Sequence, residues 1–301
     1  MTLQELRYIV ALADTGHFGR AAQACFVTQS TLSTGLRKLE EFLGMPIFDR
    51  SVRRVVPTPA GAEIVESARH IVEEANRLRE LARSGADPME RTMRVGVIPT
   101  LGPYYLPHVI GHLHRAHPKL RVLLREELTP RLITRLGEAS LDASLLALPV
   151  ADAAFAAAPL FREPFLAALP AGHALAKRSR VSLDRLAQAG LLLLEEGHCL
   201  RDQALEACHL ETIRSEETRA TSLETLRHMV AMGLGVTLIP ALAGASPARM
   251  RSRVALRPLA APGASRLIGL VWRRRSPAAL PAQRLAETLA AHLPPGVTPP
   301  G

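Results

Sequence analysis

FGRAAQACFVTQSTLSTGLRKLEEFLG, running from Phe18 to Gly44, spells two short helices with a break between them. Phe18, Ala21 and Ala22 open the first, which breaks near Val27. Thr28 can cap the second, because its hydroxyl can accept a backbone N–H of the first turn. Leu32, Leu36, Leu39 and Leu43 then recur on one face, and Gly44 closes the helix. The other face shows Gln29, Ser30, Ser33, Thr34, Arg37 and Lys38, with Thr31 beside them. Small polar side chains at the start and cations further along suit a helix laid in the major groove of DNA. The first group meets base edges and the second meets phosphates.

The flanking residues extend this pattern. Leu3, Leu6, Val10 and Ala13 share one face of a preceding helix. Cys25 falls in the apolar register of its helix and reads as a small buried hydrophobe. Met45–Gly61, MPIFDRSVRRVVPTPAG, reads as a two-stranded wing with Arg50, Arg53 and Arg54 near its tip. Arginines there can reach phosphate or a narrow minor groove.

FGRAAQAC (Phe18–Cys25), VTQSTLS (Val27–Ser33), Leu39-Glu40, Leu43-Gly44, Phe48-Asp49-Arg50 and Thr58-Pro59-Ala60-Gly61 recur at set spacings. In this pattern the sequence resembles the LysR-type transcriptional regulators. Ser30 departs from it, standing where many members have proline. The resemblance implies a winged helix-turn-helix over residues 1–60 and a dimerisation helix with hinge over 61–90. A redox-sensing regulatory domain follows over 91–301.

Composition permits this organisation without proving it. A chain of 301 residues has room for two or three domains, and a hydrophobic fraction of 48% supports packed cores. No apolar run is long enough to span a membrane. MTLQEL, Met1–Leu6, lacks the basic and apolar regions of a signal peptide, so a cytoplasmic protein without membrane partners is expected. The net charge of +9 is compatible with nucleic acid, but residues 61–90 are net acidic and most of the excess lies beyond residue 90. The basic surplus therefore does not mark the DNA-binding segment.

Thr58 can cap a further helix, with Pro59 at its first position. Ile64, Ala68, Ile71, Ala75, Leu78 and Ala82 alternate at steps of four and three, a heptad seam. Charged residues occupy the outer positions. The seam predicts a dimer helix that sets two recognition helices on one duplex, and Ser84–Pro88 a hinge after it.

Beyond the hinge, strand-like runs alternate with helical stretches. The runs are Met93–Ile98, Arg121–Leu124, Ala143–Leu148, Phe165–Leu169, Leu191–Leu194, Gly235–Ile239 and Leu267–Trp272. This predicts α/β architecture. Thr100 follows the first strand, where open α/β sheets bind ligands. The LysR resemblance implies two lobes of the periplasmic-binding-protein type: lobe I over 91–162 and 268–301, lobe II over 163–267. The tail Pro294–Gly301 reads as disordered.

EEGHCLRDQALEAC, Glu195–Cys208, holds two of the three cysteines, nine residues apart in a helical pattern. A helix would separate their Cα atoms by roughly 13 Å, whereas a disulfide needs them within ~7 Å. Joining them would unwind the segment. Gly197 marks the helix start, so Cys199 sits in the first turn, where the dipole favours an anion. His198 and Arg201 could add positive character. Cys208 looks less activated. Spacing alone also allows two inert buried cysteines, or metal ligation with His198 and His209, although the spacing matches no familiar zinc pattern.

GHCLRDQA (Gly197–Ala204) with Cys208, together with VIPTLGPY (Val97–Tyr104), RATSLETLR (Arg219–Arg227) and RLIGLV (Arg266–Val271), is similar to the hydrogen-peroxide-sensing branch of the LysR family. That likeness implies a peroxidatic Cys199 and a resolving Cys208. It implies a peroxide site of Thr100, Thr129 and His198, with Arg201, Asp202 and Arg266 supporting it. It further implies a homotetramer, promoter DNA and RNA polymerase as partners, and glutaredoxin or thioredoxin as reductant, with no cofactor. Glu217 or Thr218 replaces the branch's common histidine before RATS. Two other functions are open at this point. One is a regulator binding a small organic effector between its lobes, lined by Thr100, Thr221 and Ser222. The other is a thiol peroxidase, against which the DNA-binding pattern argues.

Overall fold

A computed structural model describes residues 1–49, 55–83, 87–210, 219–244, 253–260 and 264–301. The chain divides into two compact units, Met1–Gly85 and Ala86–Gly301.

The first unit contains α1 (Leu3–Thr15), α2 (Phe18–Ala24), α3 (Gln29–Leu43), β1 (Phe48–Asp49), β2 (Val56–Pro57) and α4 (Pro59–Arg83). Local chemistry sets each boundary. The Thr2 hydroxyl accepts from Glu5 N at 3.2 Å and Glu5 Oε2 accepts from Thr2 N at 2.7 Å, a reciprocal cap on α1. Thr28 caps α3 by accepting from Thr31 N, and Gly44 ends it at φ 72°. Thr58 caps α4 by accepting from Gly61 N at 2.9 Å. Leu32, Leu36 and Leu39 are buried as their spacing predicts. The buried face of α1 is Leu6, Ile9 and Leu12 with Tyr8, rotated from the expected Leu3/Leu6/Val10/Ala13 face. Tyr8 draws it round: a Cβ on Gly35 would lie 2.8 Å from its ring, so α1 and α3 cross where glycine leaves room. Cys25 is half-buried, its thiol 3.8 Å from the Arg7 carbonyl. β1 and β2 form the antiparallel base of the wing, while Arg50, Arg53 and Arg54 fall outside the described residues.

α4 packs its first half into this unit's core through Val65 and Ala68. Arg69 pairs with Asp14 at 2.7 Å. Two residues of the expected seam, Ile71 and Leu78, are 47% and 63% exposed. Ser84–Ala86 of the expected hinge lie outside the described residues.

The second unit begins with β3 (Thr92–Val97), α5 (Gly102–Ala116), β4 (Arg121–Glu126), α6 (Thr129–Gly137) and β5 (Ala143–Leu148). β3 runs parallel to both β4 and β5. The 16-residue β6 (Phe155–Pro170) then crosses the unit. α7 (Leu183–Gln188), β7 (Leu193–Leu194), α8 (Cys199–Ala207), β8 (Arg219–Ala220), α9 (Leu223–Ala231), β9 (Thr237–Pro240) and β10 (Val254–Pro258) follow. β11 (Ser265–Arg273) returns antiparallel to β5 and β6, and α10 (Ala279–Ala290) ends the helices. β6 pairs with β11 through Pro164, and from Phe165 onward with β9 and β10. The chain thus crosses between two lobes at Pro164–Phe165 and comes back at Ser265. Each lobe has its own apolar core, one around Met93, Val95, Tyr105, Phe161 and Trp272, the other around Leu192, Leu194, Val230 and Leu238.

The first half of β6 and all of β10 are strands that the apolar runs did not reveal. The tail also departs from expectation. Pro294 is buried, Val297 packs on the first lobe's core, and Thr298 exchanges backbone hydrogen bonds with Arg162 at 2.8 and 3.0 Å. Pairing with the open edge of β6 at the lobe crossing satisfies backbone groups that composition alone left free.

Candidate functional site

α8 is held between the two lobes by a turn that only glycine accommodates. Gly197 has φ +90°, and a Cβ there would also approach Leu128 to 3.1 Å. This contact sets the start of α8 against the loop that begins α6. Cys199, in the first turn of α8, is half-buried and packs against the first lobe's core. Cys208 is the residue capping the other end, and it is buried in the second lobe's core. Both are free thiols. They occupy opposite ends of one helix and different cores, about 13 Å apart by helical rise. Burial, with the nearby Asp184 charge adding to it, pushes the Cys208 thiol up to about 11, which makes it harder to ionise than an exposed thiol.

His198 does not supply the positive charge expected beside Cys199. It is buried, its ring hydrogen-bonds the Thr221 backbone, and desolvation lowers it below the ordinary imidazole value. At neutral pH it is an uncharged link between the α8 turn and the segment that starts α9. Arg201 is half-buried and faces two carboxylates, Glu196 at 3.4 Å and Asp202 at 3.6 Å. Asp202 itself is exposed.

Thr100, Arg266 and a third residue form one buried network. Arg266 Nη1 donates to the Thr100 hydroxyl at 2.8 Å and Nη2 to the Thr100 carbonyl at 2.9 Å. Nε donates to Glu163 Oε2 at 2.9 Å, and the other Glu163 oxygen accepts from Leu242 N at 2.9 Å. The Arg266 guanidinium and Glu163 carboxylate are both 0% exposed. With its oxygen occupied by Arg266, the Thr100 hydroxyl keeps its own proton to donate. Thr129, the first residue of α6, has a buried hydroxyl with no protein partner among the described residues. A buried orphan hydroxyl one residue from Leu128, which touches the Gly197 turn, is suited to a small polar ligand.

Sequence reasoning missed Glu163, which lies between Arg162 and Pro164 just before the apolar run that begins at Phe165. It also missed a strut between the lobes. The Tyr104 hydroxyl donates to Glu224 Oε1 at 2.8 Å, and Arg227, buried on α9, reaches the same oxygen at 3.2 Å and the Ala243 carbonyl at 2.6 Å. Glu217 and Thr218 lie outside the described residues.

The residues expected to face DNA come together on α3 and its cap. Thr28, Gln29, Ser30, Thr31, Thr34, Arg37 and Lys38 are exposed on it, and Ser33 is half-buried. The Thr28 hydroxyl lies 2.9 Å from that of Ser30 and 2.8 Å from that of Thr31, which fixes the first turn's polar array.

The bacterial regulatory helix-turn-helix family of LysR type matches residues 3–62, and the LysR substrate binding domain family matches residues 86–294. The chain is 45% identical to the DNA-binding transcriptional dual regulator OxyR of Escherichia coli, over 97% of this chain and 96% of that one. Among solved structures it is similar to a full-length OxyR variant from Pseudomonas aeruginosa. That match has a TM-score of 0.68 and 43% identity, with 97% of each chain covered. A crystal structure of the reduced form of OxyR matches 68% of this chain and 97% of its own length, with a TM-score of 0.62 and 46% identity. The protein belongs to the LysR family of bacterial regulators and, within it, to the OxyR branch.

Proposed function

We propose that the protein is a DNA-binding transcriptional activator that senses hydrogen peroxide through a reversible Cys199–Cys208 disulfide. The observation that carries this reading is the placement of the two thiols at opposite ends of α8, in the cores of different lobes. The Cys199 thiolate attacks one peroxide oxygen, the O–O bond breaks, and hydroxide leaves behind a sulfenic acid. Cys208 then gives up its proton and attacks the Cys199 sulfur. The S–O bond breaks, water leaves, and the disulfide forms. Because the bond needs Cα atoms within ~7 Å, α8 must unwind, and the lobes lose the packing that each cysteine supplies. A bistable element of this kind converts a covalent event into a change of shape. Glutaredoxin or thioredoxin resets it by thiol–disulfide exchange.

Thr100, Thr129 and His198 hold the peroxide in this reading, and Arg266 orients Thr100. Arg201 and Asp202 stabilise the first turn of α8. Thr28, Gln29, Ser30, Thr31, Ser33 and Thr34 read bases. Arg37, Lys38, Arg50, Arg53 and Arg54 bind phosphate. The protein works as a homotetramer in the cytoplasm and recruits RNA polymerase to antioxidant promoters. Two sets of exposed apolar residues support self-association: Ile71 and Leu78 on α4, and Ile110, Leu123, Leu124, Met232 and Leu234 on the second unit. Residues 1–60 serve as the DNA-binding domain, 61–90 as linker, and 91–301 as sensor.

The effector reading is disfavoured by a specific observation. The Ser222 hydroxyl, one of the polar groups expected to line that pocket, caps α9 by accepting from Thr225 N at 3.1 Å. Alkylation and mass spectrometry after micromolar peroxide test the proposal, with promoter binding followed in parallel. A disulfide between Cys199 and Cys208 is expected. Two free thiols with normal promoter binding, or induction that survives Cys199→Ser, would refute it.

A further inference from the structure

Phe26 sits in the turn between α2 and α3, 96% exposed. Its φ is +56°, a conformation that glycine adopts freely and L-residues avoid. The reason for that backbone is plain. Val27 N donates to the Ala22 carbonyl at 3.0 Å and Phe26 N to the Gln23 carbonyl at 3.1 Å. These are the two bonds of a Schellman ending, in which the residue after the cap is left-handed and is usually glycine. Val27 completes the motif by packing on the unit's core. The backbone thus calls for glycine at residue 26, and the fold derives no contact from the side chain found there. A large apolar ring is held out to solvent on a strained residue, two positions before the exposed start of the recognition helix.

We infer that Phe26 is an additional DNA-contacting residue, whose ring packs against thymine methyl groups at the edge of the major groove. The C5-methyl of thymine is the apolar group that a base pair presents in that groove, and phenylalanine is among the side chains suited to it. The placement fits the docking of a helix-turn-helix, where the N-terminal residues of the second helix contact base edges. Thr28, Gln29 and Thr31, exposed beside Phe26, offer only polar groups and short methyls. Phe26 adds an apolar surface far larger than those methyls, and sequence preference at its position should favour A·T pairs.

This inference rests on α3 being the recognition helix, and the experiment separates the two. The full-length protein selects a preferred duplex from a randomised library. Binding of the wild type, Phe26→Gly and Gln29→Ala is then measured on that duplex, on the same duplex with uracil in place of thymine, and on a random-sequence duplex. Phe26→Gly relieves the backbone strain, so its Tm should rise while its affinity for the selected duplex falls. The expected loss is about fourfold for each methyl group no longer covered, or on the order of tenfold for two half-sites. Binding to random sequence should change less than twofold, and oligomeric state should not change. Uracil substitution should weaken the wild type and leave Phe26→Gly unaffected. Equal affinity of Phe26→Gly and wild type for the selected duplex overturns the inference, as does an unchanged uracil effect or a changed oligomeric state. If Gln29→Ala also leaves sequence preference intact, the assignment of α3 fails instead.

Discussion

Arg266 and Glu163 form an ion pair at 2.8 Å with both charged groups fully buried, and the same guanidinium holds the hydroxyl and carbonyl of Thr100. The pair spans the two strands on which the chain crosses between lobes, since Arg266 and Glu163 are register partners of β11 and β6. It therefore couples the hinge of the regulatory unit to the end of its first strand.

Removing one member of a buried pair strands the other charge, at a cost of about 3–5 kcal/mol. Glu163→Ala should destabilise the full chain by roughly that amount in urea unfolding and slow peroxide oxidation of Cys199. The double variant Glu163→Gln, Arg266→Met carries no stranded charge and should recover most of the stability. Oxidation should remain slow in it, because Thr100 has lost its Arg266 donor. Recovery of both would reduce the pair to a structural role.

Cys208→Ser should stop the reaction at the sulfenic acid of Cys199, detectable as a dimedone adduct. The adduct should accumulate to one per chain and promoter binding should stay in the reduced pattern. A disulfide-like shift in promoter binding by this variant would show that bond formation is not the trigger.

Stability should fall at both alkaline and mildly acidic pH, for two different groups. Cys208 rises from 9.0 to about 11 on folding. Its contribution is complete below 9.0 and lost as pH climbs through about 11, because the unfolded thiol ionises first. His198 is lowered from 6.5, so its contribution is complete above 6.5 and is lost as pH falls below it. Each slope is at most ~1.4 kcal/mol per pH unit. Urea midpoints of the reduced protein, compared with Cys208→Ala, should show the alkaline limb flattened in the variant.

Lys38→Ala should weaken binding to every duplex alike and reduce the salt slope by about one. Gln29→Ala should instead shift sequence preference, costing about 1–3 kcal/mol on the selected site. Fluorescence anisotropy at several salt concentrations distinguishes the two.

Leu78→Glu should weaken self-association, since Leu78 is 63% exposed on α4 and lies two helical turns from the exposed Ile71. Analytical ultracentrifugation should show smaller species, and DNA affinity should fall with dimer loss.

Much of this was legible from local pattern. Thr28, Thr58, Gly44 and Gly197 act within one turn of the chain, so their caps and breaks follow from residue type and spacing. The leucines of α3 announced its buried face for the same reason. The buried face of α1 was misjudged because Tyr8 takes its place under Gly35, a residue far along the chain. The tail looked disordered because its proline-rich composition says nothing of the β6 edge that receives Thr298. His198 looked like a cation because sequence does not reveal burial. Glu163 gave no sign of function, since its meaning depends on an arginine 103 residues away.

Spacing along the chain thus pointed to the short helices with their caps and to the helical separation of Cys199 from Cys208, because each rests on interactions within a few residues, and the motif resemblance pointed to the family. Folding in three dimensions decided the rest. It put the two thiols in different cores, lowered His198 and raised Cys208 by desolvation, and joined Glu163, Arg266 and Thr100. Desolvation and pairing depend on which distant segments close around a group, and a linear order of residues does not contain that information.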